Sequence, residues 1–244
     1  IYNVPNISDR DALIDILQLL NCEVSLNNDL LKIDSSKVEN KQIPLELSKK
    51  LRASYYFMGA MLSKFKHVEI YFPGGCNIGK RPIDFHIKGF EALGAKVTTK
   101  GDLYILDAQE LNGAEINLDF ASVGATINIM LAAVKANGKT IIKNAARETE
   151  IVNVATFLNN MGAKITGAGT SIIRIEGVKS LNRAMVEVIP DRIEAGTYMA
   201  AIAATRGKGI IRNIYPNHLT FFTSKLLKMG ANVNLIEPTA IKVS

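Results

Sequence analysis

Cysteine is scarce in these 244 residues, with only Cys22 and Cys76 present. Two thiols cannot build the disulfide framework of a small secreted protein. Histidine is scarce too, at three residues, and without cysteine-rich spacing no structural zinc site is expected. Both shortages point to a reduced, cytoplasmic setting. Long apolar runs are missing as well. The longest, Ala121 to Val134, contains Ser122, Thr126 and Asn128 and is too short to span a bilayer. A signal or transit segment is not expected from the opening residues. Aromatic residues make up only 7% and the lysines are scattered rather than striped, so a nucleic-acid groove is not expected.

What is present is a substantial core and an excess of positive charge. Hydrophobic residues are 48% of the chain, enough for one large or two modest domains. The net charge of +6, without a basic stripe, suits small anionic substrates.

The chain also repeats itself. Leu-Leu-Asn-Cys-Glu-Val (19–24), Ala-Leu-Gly-Ala-Lys-Val (92–97), Asn-Met-Gly-Ala-Lys-Ile (160–165) and Lys-Met-Gly-Ala-Asn-Val (228–233) share one ending, recurring about every seventy residues. Apolar residues three and four apart predict amphipathic helices before each ending, over 9–20, 84–93, 150–161 and 218–229. Asn21, Gly94, Gly162 and Gly230 then stand at the helix C-caps, where positive φ suits glycine. Alternating segments over 96–107, 164–176 and 232–243 predict hairpins. Second helices rich in small residues are expected over 52–65, 123–136 and 193–205, and their low charge implies burial on most faces. The resulting unit is strand, helix, strand, helix and paired strands, with helices enclosed and sheets outward. The polar stretch 179–183, ahead of Val186 to Pro190, is the best place for a domain boundary.

Three stretches could carry chemistry. Pro73 to His86 places three glycines around Cys76, followed by Lys80 and Arg81. Nearby cations favour a thiolate, so Cys76 is either a reactive cysteine or a free thiol in a surface turn. Arg81, before Pro82 and a helix, could clamp a phosphate or carboxylate or simply be solvated, and His86 lies in the first turns of that helix. Asp119 to Thr126 leads into an apolar helix with Ser122 as N-cap, which is either an anion site or an ordinary capped helix. Arg52 opens the equivalent helix of the preceding repeat, and Arg192 and Glu194 stand near the start of the following one, so these helix starts are expected to converge.

Taken together, Pro-Gly-Gly-Cys-Asn-Ile-Gly-Lys-Arg-Pro-Ile-Asp with His86, Leu-Arg-Ala-Ser (51–54), Ser-Val-Gly-Ala-Thr (122–126), Asn-Ala-Ala-Arg-Glu (144–148) and Pro-Asp-Arg-Ile-Glu-Ala-Gly-Thr (190–197) resemble the UDP-N-acetylglucosamine 1-carboxyvinyltransferase family. The resemblance runs along the whole chain, and the cysteine loop is its most specific part. It implies an α/β fold, an inside-out α/β barrel of repeated βαβαββ units. Residues 1–189 would form most of a first domain and 190–244 the opening of a second. It also implies transfer of the enolpyruvyl group of phosphoenolpyruvate to the sugar 3-hydroxyl with release of phosphate, the first committed step of peptidoglycan synthesis.

By resemblance, Cys76 is the proton donor and the site of adducts with phosphoenolpyruvate or fosfomycin, and Arg81 holds the phosphate of phosphoenolpyruvate. Arg52, Pro82, Ile83, Asp84, Phe85, Phe120, Ala121, Ser122 and Val123 match positions that contact the UDP-sugar, with Ser122 and Val123 at its diphosphate. His86 lines the same cleft, and Asp191 lies near the domain junction. The implied partners are UDP-N-acetylglucosamine and phosphoenolpyruvate, with no cofactor, metal, nucleic acid or membrane insertion. The family's Ser-Gly-Ala-Lys-Asn stretch would precede Ile1, and its general base and further arginines would follow Ser244, so the chain by itself would be an inactive fragment. Phe120-Ala121 before Ser122 departs from members that carry a polar side chain there. The alternatives are a shikimate-phosphate enolpyruvyl transferase, against which the cysteine loop argues, and a non-catalytic nucleotide-sugar-binding module.

Overall fold

A computed structural model describes residues 1–72 and 83–244, and the chain divides into two compact units, Ile1–Glu187 and Val188–Ser244. The first unit begins with α1 (Ser8–Leu19) and the antiparallel hairpin β1 (Glu23–Asn27) and β2 (Leu30–Asp34). Next come α2 (Leu45–Lys50), a 3₁₀ turn (Arg52–Tyr55), α3 (Tyr56–Phe65) and β3 (His67–Tyr71). After the undescribed segment come α4 (Asp84–Ala92), β4 (Lys96–Lys100), β5 (Leu103–Asp107) and β6 (Glu115–Asn117). The unit closes with α5 (Val123–Ala133), β7 (Lys139–Lys143), α6 (Thr149–Asn160), β8 (Lys164–Thr166) and β9 (Ile172–Glu176).

Two larger sheets result, in the orders β3-β5-β4 and β6-β7-β9-β8. Only β6 and β7 pair in parallel among these strands. The strands expected to open the earlier repeats shrink to single parallel bridges, Tyr2 to Glu187 and Ile43 to Ile70.

The four predicted helix endings share one hydrogen-bonding pattern. Asn21, Gly94, Gly162 and Gly230 all have positive φ, at 64°, 96°, 98° and 93°. The N–H groups of Cys22, Ala95, Ala163 and Ala231 donate to the carbonyls of Leu17, Phe90, Leu158 and Leu226, five residues back. This is the Schellman arrangement, which satisfies carbonyls left open at a helix end. Cys22, Ala95 and Ala163 are buried at equivalent places, so Cys22 sits in the core as a small apolar residue, and burial pushes its thiol pKa up.

The core of the first unit is organised around α5. Ala125 to Met130 are all buried, as are Ala132 and Ala133, so this helix lacks an outward stripe. It packs against α3, where Gly59 permits a close approach: a Cβ there would lie 2.3 Å from the backbone oxygen of Asn128. Two polar side chains accompany α5 into the core with partners. Ala146 N–H donates to Thr126 Oγ1 at 3.1 Å, and Asn128 bonds to the backbone of Tyr55 and Gly59.

The second unit comprises α7 (Arg192–Ala204), β10 (Gly209–Arg212), a 3₁₀ turn (Pro216–Leu219), α8 (Thr220–Lys228), β11 (Val233–Glu237) and β12 (Ala240–Val243), with sheet order β10-β12-β11. Its core is small: Ala195, Met199, Ile214, Leu219, Leu226, Ile241 and Val243. The expectation that α7 is buried on most faces is not met. Only Ala195, Gly196 and Met199 are buried, while Ile193 and Tyr198 remain exposed. Low charge made this helix look like α5, but within residues 188–244 the core covers one face of it.

Candidate active site

Three segments of the first unit meet at their helix starts. The first is the 3₁₀ turn Arg52–Tyr55 leading into α3. Its Ser54 N–H bonds the Leu51 carbonyl, so the helix opens more tightly than the α-helix expected from Arg52 onward. The second is the start of α4, where Ile83 is buried, Asp84 exposed, Phe85 half-buried and His86 buried. The third is Phe120 to Gly124, running into α5. Ser122 caps that helix as expected, its Oγ accepting from Ala125 N–H at 3.3 Å.

The buried side chain of Asn128 joins these segments. Its Nδ2 donates to the Tyr55 carbonyl at 2.8 Å and lies 3.0 Å from His86 Nδ1, while its Oδ1 accepts from Gly59 N–H at 2.9 Å. The Tyr55 ring stands edge-on to the His86 ring at 4.9 Å, and the Arg52 guanidinium lies over the Tyr55 ring at 5.9 Å. On the outer face, Lys88 of α4 pairs with Asp119 at 3.2 Å. Arg52, Ile83 to His86 and Phe120 to Val123 thus belong to one neighbourhood.

The electrostatics of that neighbourhood keep the imidazole neutral. Burial, and secondarily the Arg52 charge, push the His86 pKa down to about 4, and the Asp84 carboxylate offsets this only in part. The open end of α5 presents first-turn N–H groups beside Ser122, a polarity that favours a negative group. Phe120 is 68% exposed and Ala121 is exposed, so both are free for ligand contact. Cys76, Arg81 and Pro82 lie outside the described residues. Asp191 belongs to the second unit, where its Oδ1 accepts from Ile193 N–H at 2.7 Å and caps α7.

The sequence model of the EPSP synthase (3-phosphoshikimate 1-carboxyvinyltransferase) family matches residues 1–244. The chain belongs to this family. Within the EPSP synthase family it is 53% identical, over 96% of its length, to UDP-N-acetylglucosamine 1-carboxyvinyltransferase 2 of Geobacillus kaustophilus, covering 54% of that protein. It is 54% identical to the protein of the same name from Bacillus subtilis, again over 96% of this chain and 54% of the relative. The chain therefore spans about half the length of the curated relatives it matches. Among solved structures, the enolpyruvyl transferase NikO from Streptomyces tendae superposes with a TM-score of 0.86 at 20% identity, covering 99% of this chain and 58% of NikO. EPSP synthase from Acinetobacter baumannii gives 0.70, also at 20% identity, over 98% of this chain and 56% of the synthase. The α/β fold is therefore that of the enolpyruvyl transferases.

Two members of the site were not anticipated from the sequence: Tyr55 and Asn128. A signal existed for Asn128, a polar side chain inside the longest apolar run, which must find partners once buried. Tyr55 carried none, because its role depends on how three segments distant in sequence pack together.

Proposed function

We propose that the intact protein transfers the enolpyruvyl group of phosphoenolpyruvate to the 3-hydroxyl of UDP-N-acetylglucosamine, as a cytoplasmic enzyme of peptidoglycan synthesis. The observation that carries this reading is the meeting of Arg52, His86 and the Ser122-capped start of α5 in one neighbourhood. These are the stretches that resemble UDP-sugar-contacting segments. Names of relatives near 53% identity select the sugar nucleotide. The shikimate-phosphate alternative is disfavoured, since the relatives near 53% identity carry the UDP-sugar transferase name.

In this reading residues 1–189 and 190–244 are parts of two inside-out barrels built of βαβαββ repeats. Arg52, Pro82 to His86 and Phe120 to Val123 hold the UDP-sugar, with its diphosphate at Ser122 and Val123. Arg81 holds the phosphate of phosphoenolpyruvate, and Cys76 gives its proton to the methylene carbon. The sugar oxygen then bonds to the neighbouring carbon as its hydroxyl proton passes to a general base. Departure of phosphate with its C–O electron pair, and return of one proton from the new methyl group to a base, restore the double bond.

Incubating the intact protein with both substrates should release phosphate, and Cys76→Ser should reduce that release by at least two orders of magnitude. Normal turnover in the variant would remove Cys76 from its role. Phosphate release with shikimate 3-phosphate but not with UDP-N-acetylglucosamine would reverse the choice of acceptor. Fosfomycin, an epoxide, should add its whole mass to the wild type and nothing to Cys76→Ser, which intact-mass measurement checks.

A further inference from the structure

An asparagine side chain carries one acceptor and one two-hydrogen donor, and a neutral imidazole carries one of each. Asn128 is completely buried, and backbone groups with fixed roles address both ends of its amide. Gly59 N–H can only donate, and it meets Oδ1 at 2.9 Å. The Tyr55 carbonyl can only accept, and it meets Nδ2 at 2.8 Å. Exchanging the amide oxygen and nitrogen would set donor against donor and carbonyl against carbonyl, so the orientation is determined. The second hydrogen of Nδ2 is left for His86 Nδ1, 3.0 Å away. That nitrogen faces a donor and must present its lone pair.

We propose that Asn128 is a positioning residue that holds His86 as the neutral tautomer protonated on Nε2. The protonated edge faces the start of α5, where a Cβ built on Gly124 would lie 3.1 Å from His86 Cε1, His86 Nε2 and the Tyr55 hydroxyl. Glycine at 124 keeps a side chain of α5 from being pressed against that edge. His86 then acts on a ligand as a hydrogen-bond donor and cannot serve as a base, since its one basic nitrogen is occupied by Asn128. The charged groups acting on the ring, Arg52 against a second proton and Asp84 in favour of one, leave the neutral form dominant. Assigning the donated hydrogen bond to an oxygen of UDP-N-acetylglucosamine rests on the functional reading above; the tautomer does not.

Long-range ¹H–¹⁵N spectra of histidine-labelled protein read the proton on each ring nitrogen, with His86 assigned by its disappearance in His86→Gln. At pH 7 the expected result is protonated Nε2 and bare Nδ1. A proton on Nδ1, or an even mixture, overturns the proposal. Asn128→Asp replaces the donor by an acceptor and should move the proton to Nδ1, whereas an unchanged spectrum in the folded variant removes Asn128 from the role. If the carboxylate prevents folding, the wild-type spectrum still decides the tautomer. Asn128→Ala, which deletes the donor without adding charge, should then show both tautomers, and a pure Nε2–H form in it is equally fatal. Titrated UDP-N-acetylglucosamine should shift the Nε2 resonance of the wild type and bind Asn128→Ala about tenfold more weakly. The expected tautomer without any response to the sugar nucleotide would count against the functional reading and leave the role of Asn128 intact.

Discussion

At the residue scale, the buried imidazole of His86 links the candidate site to acid stability. Its folded pKa is lowered to about 4, by burial first and Arg52 second, whereas an unfolded histidine titrates near 6.5. Between these values the unfolded chain binds the extra proton, so stability falls as pH drops from about 6.5 toward 4 and this contribution is flat below that. The shift corresponds to roughly 3 kcal/mol. Urea unfolding of wild type and His86→Gln at pH 7 and pH 4.5 should show a steeper loss in the wild type, and parallel losses would refute the buried neutral ring. Ser122→Ala should cost about 0.5–1 kcal/mol in the same assay, because one first-turn N–H of α5 loses its cap. The site residues were legible in unequal measure. Ser122 could be recognised as a cap from its place before an apolar helix, whereas the bonding of His86 could not, since its partner Asn128 lies forty-two positions away.

At the scale of elements, the crossing of α3 and α5 tolerates no side chain at residue 59. The obstacle is the Asn128 backbone oxygen, which would stand 2.3 Å from an added methyl carbon, not the end of a flexible chain. Gly59→Ala should therefore destabilise by about 1–3 kcal/mol, despite the better helix propensity of alanine. It should also disturb the Gly59–Asn128 bond, giving a His86 spectrum altered in the same direction as in Asn128→Ala. A denaturation midpoint equal to that of wild type would show that the helices can separate freely. The amphipathic helices before the four endings, their C-caps and the hairpins were legible because each rests on a short-range period or a single backbone conformation. The short bridges at Tyr2 and Ile43 were not, since pairing of one residue with a distant strand leaves no periodic signature. The exposed faces of α7 were misjudged from its low charge.

At the scale of the whole molecule, the two compact units differ in how much apolar surface holds each together. The first is built round a helix buried on nearly every side, the second round a small cluster under α7 and α8. Native-state hydrogen exchange should accordingly show the amides of α7 and β10 to β12 opening at lower free energy than those of α5, β7 and β9. Equal protection in both would indicate a single cooperative structure. The approximate seventy-residue recurrence made this organisation visible in outline, while the difference in core size emerges only once the helices are packed. One helix end offers a way to time such openings. Cys22 fills the slot that alanine holds at the other three endings, and its buried thiol, with its raised pKa, is shielded from reagents while the α1 end is closed. Alkylation of Cys22 in a Cys76→Ser background is therefore a stopwatch for the fraying of a single repeat, started by adding reagent and read by mass, with no engineered label required.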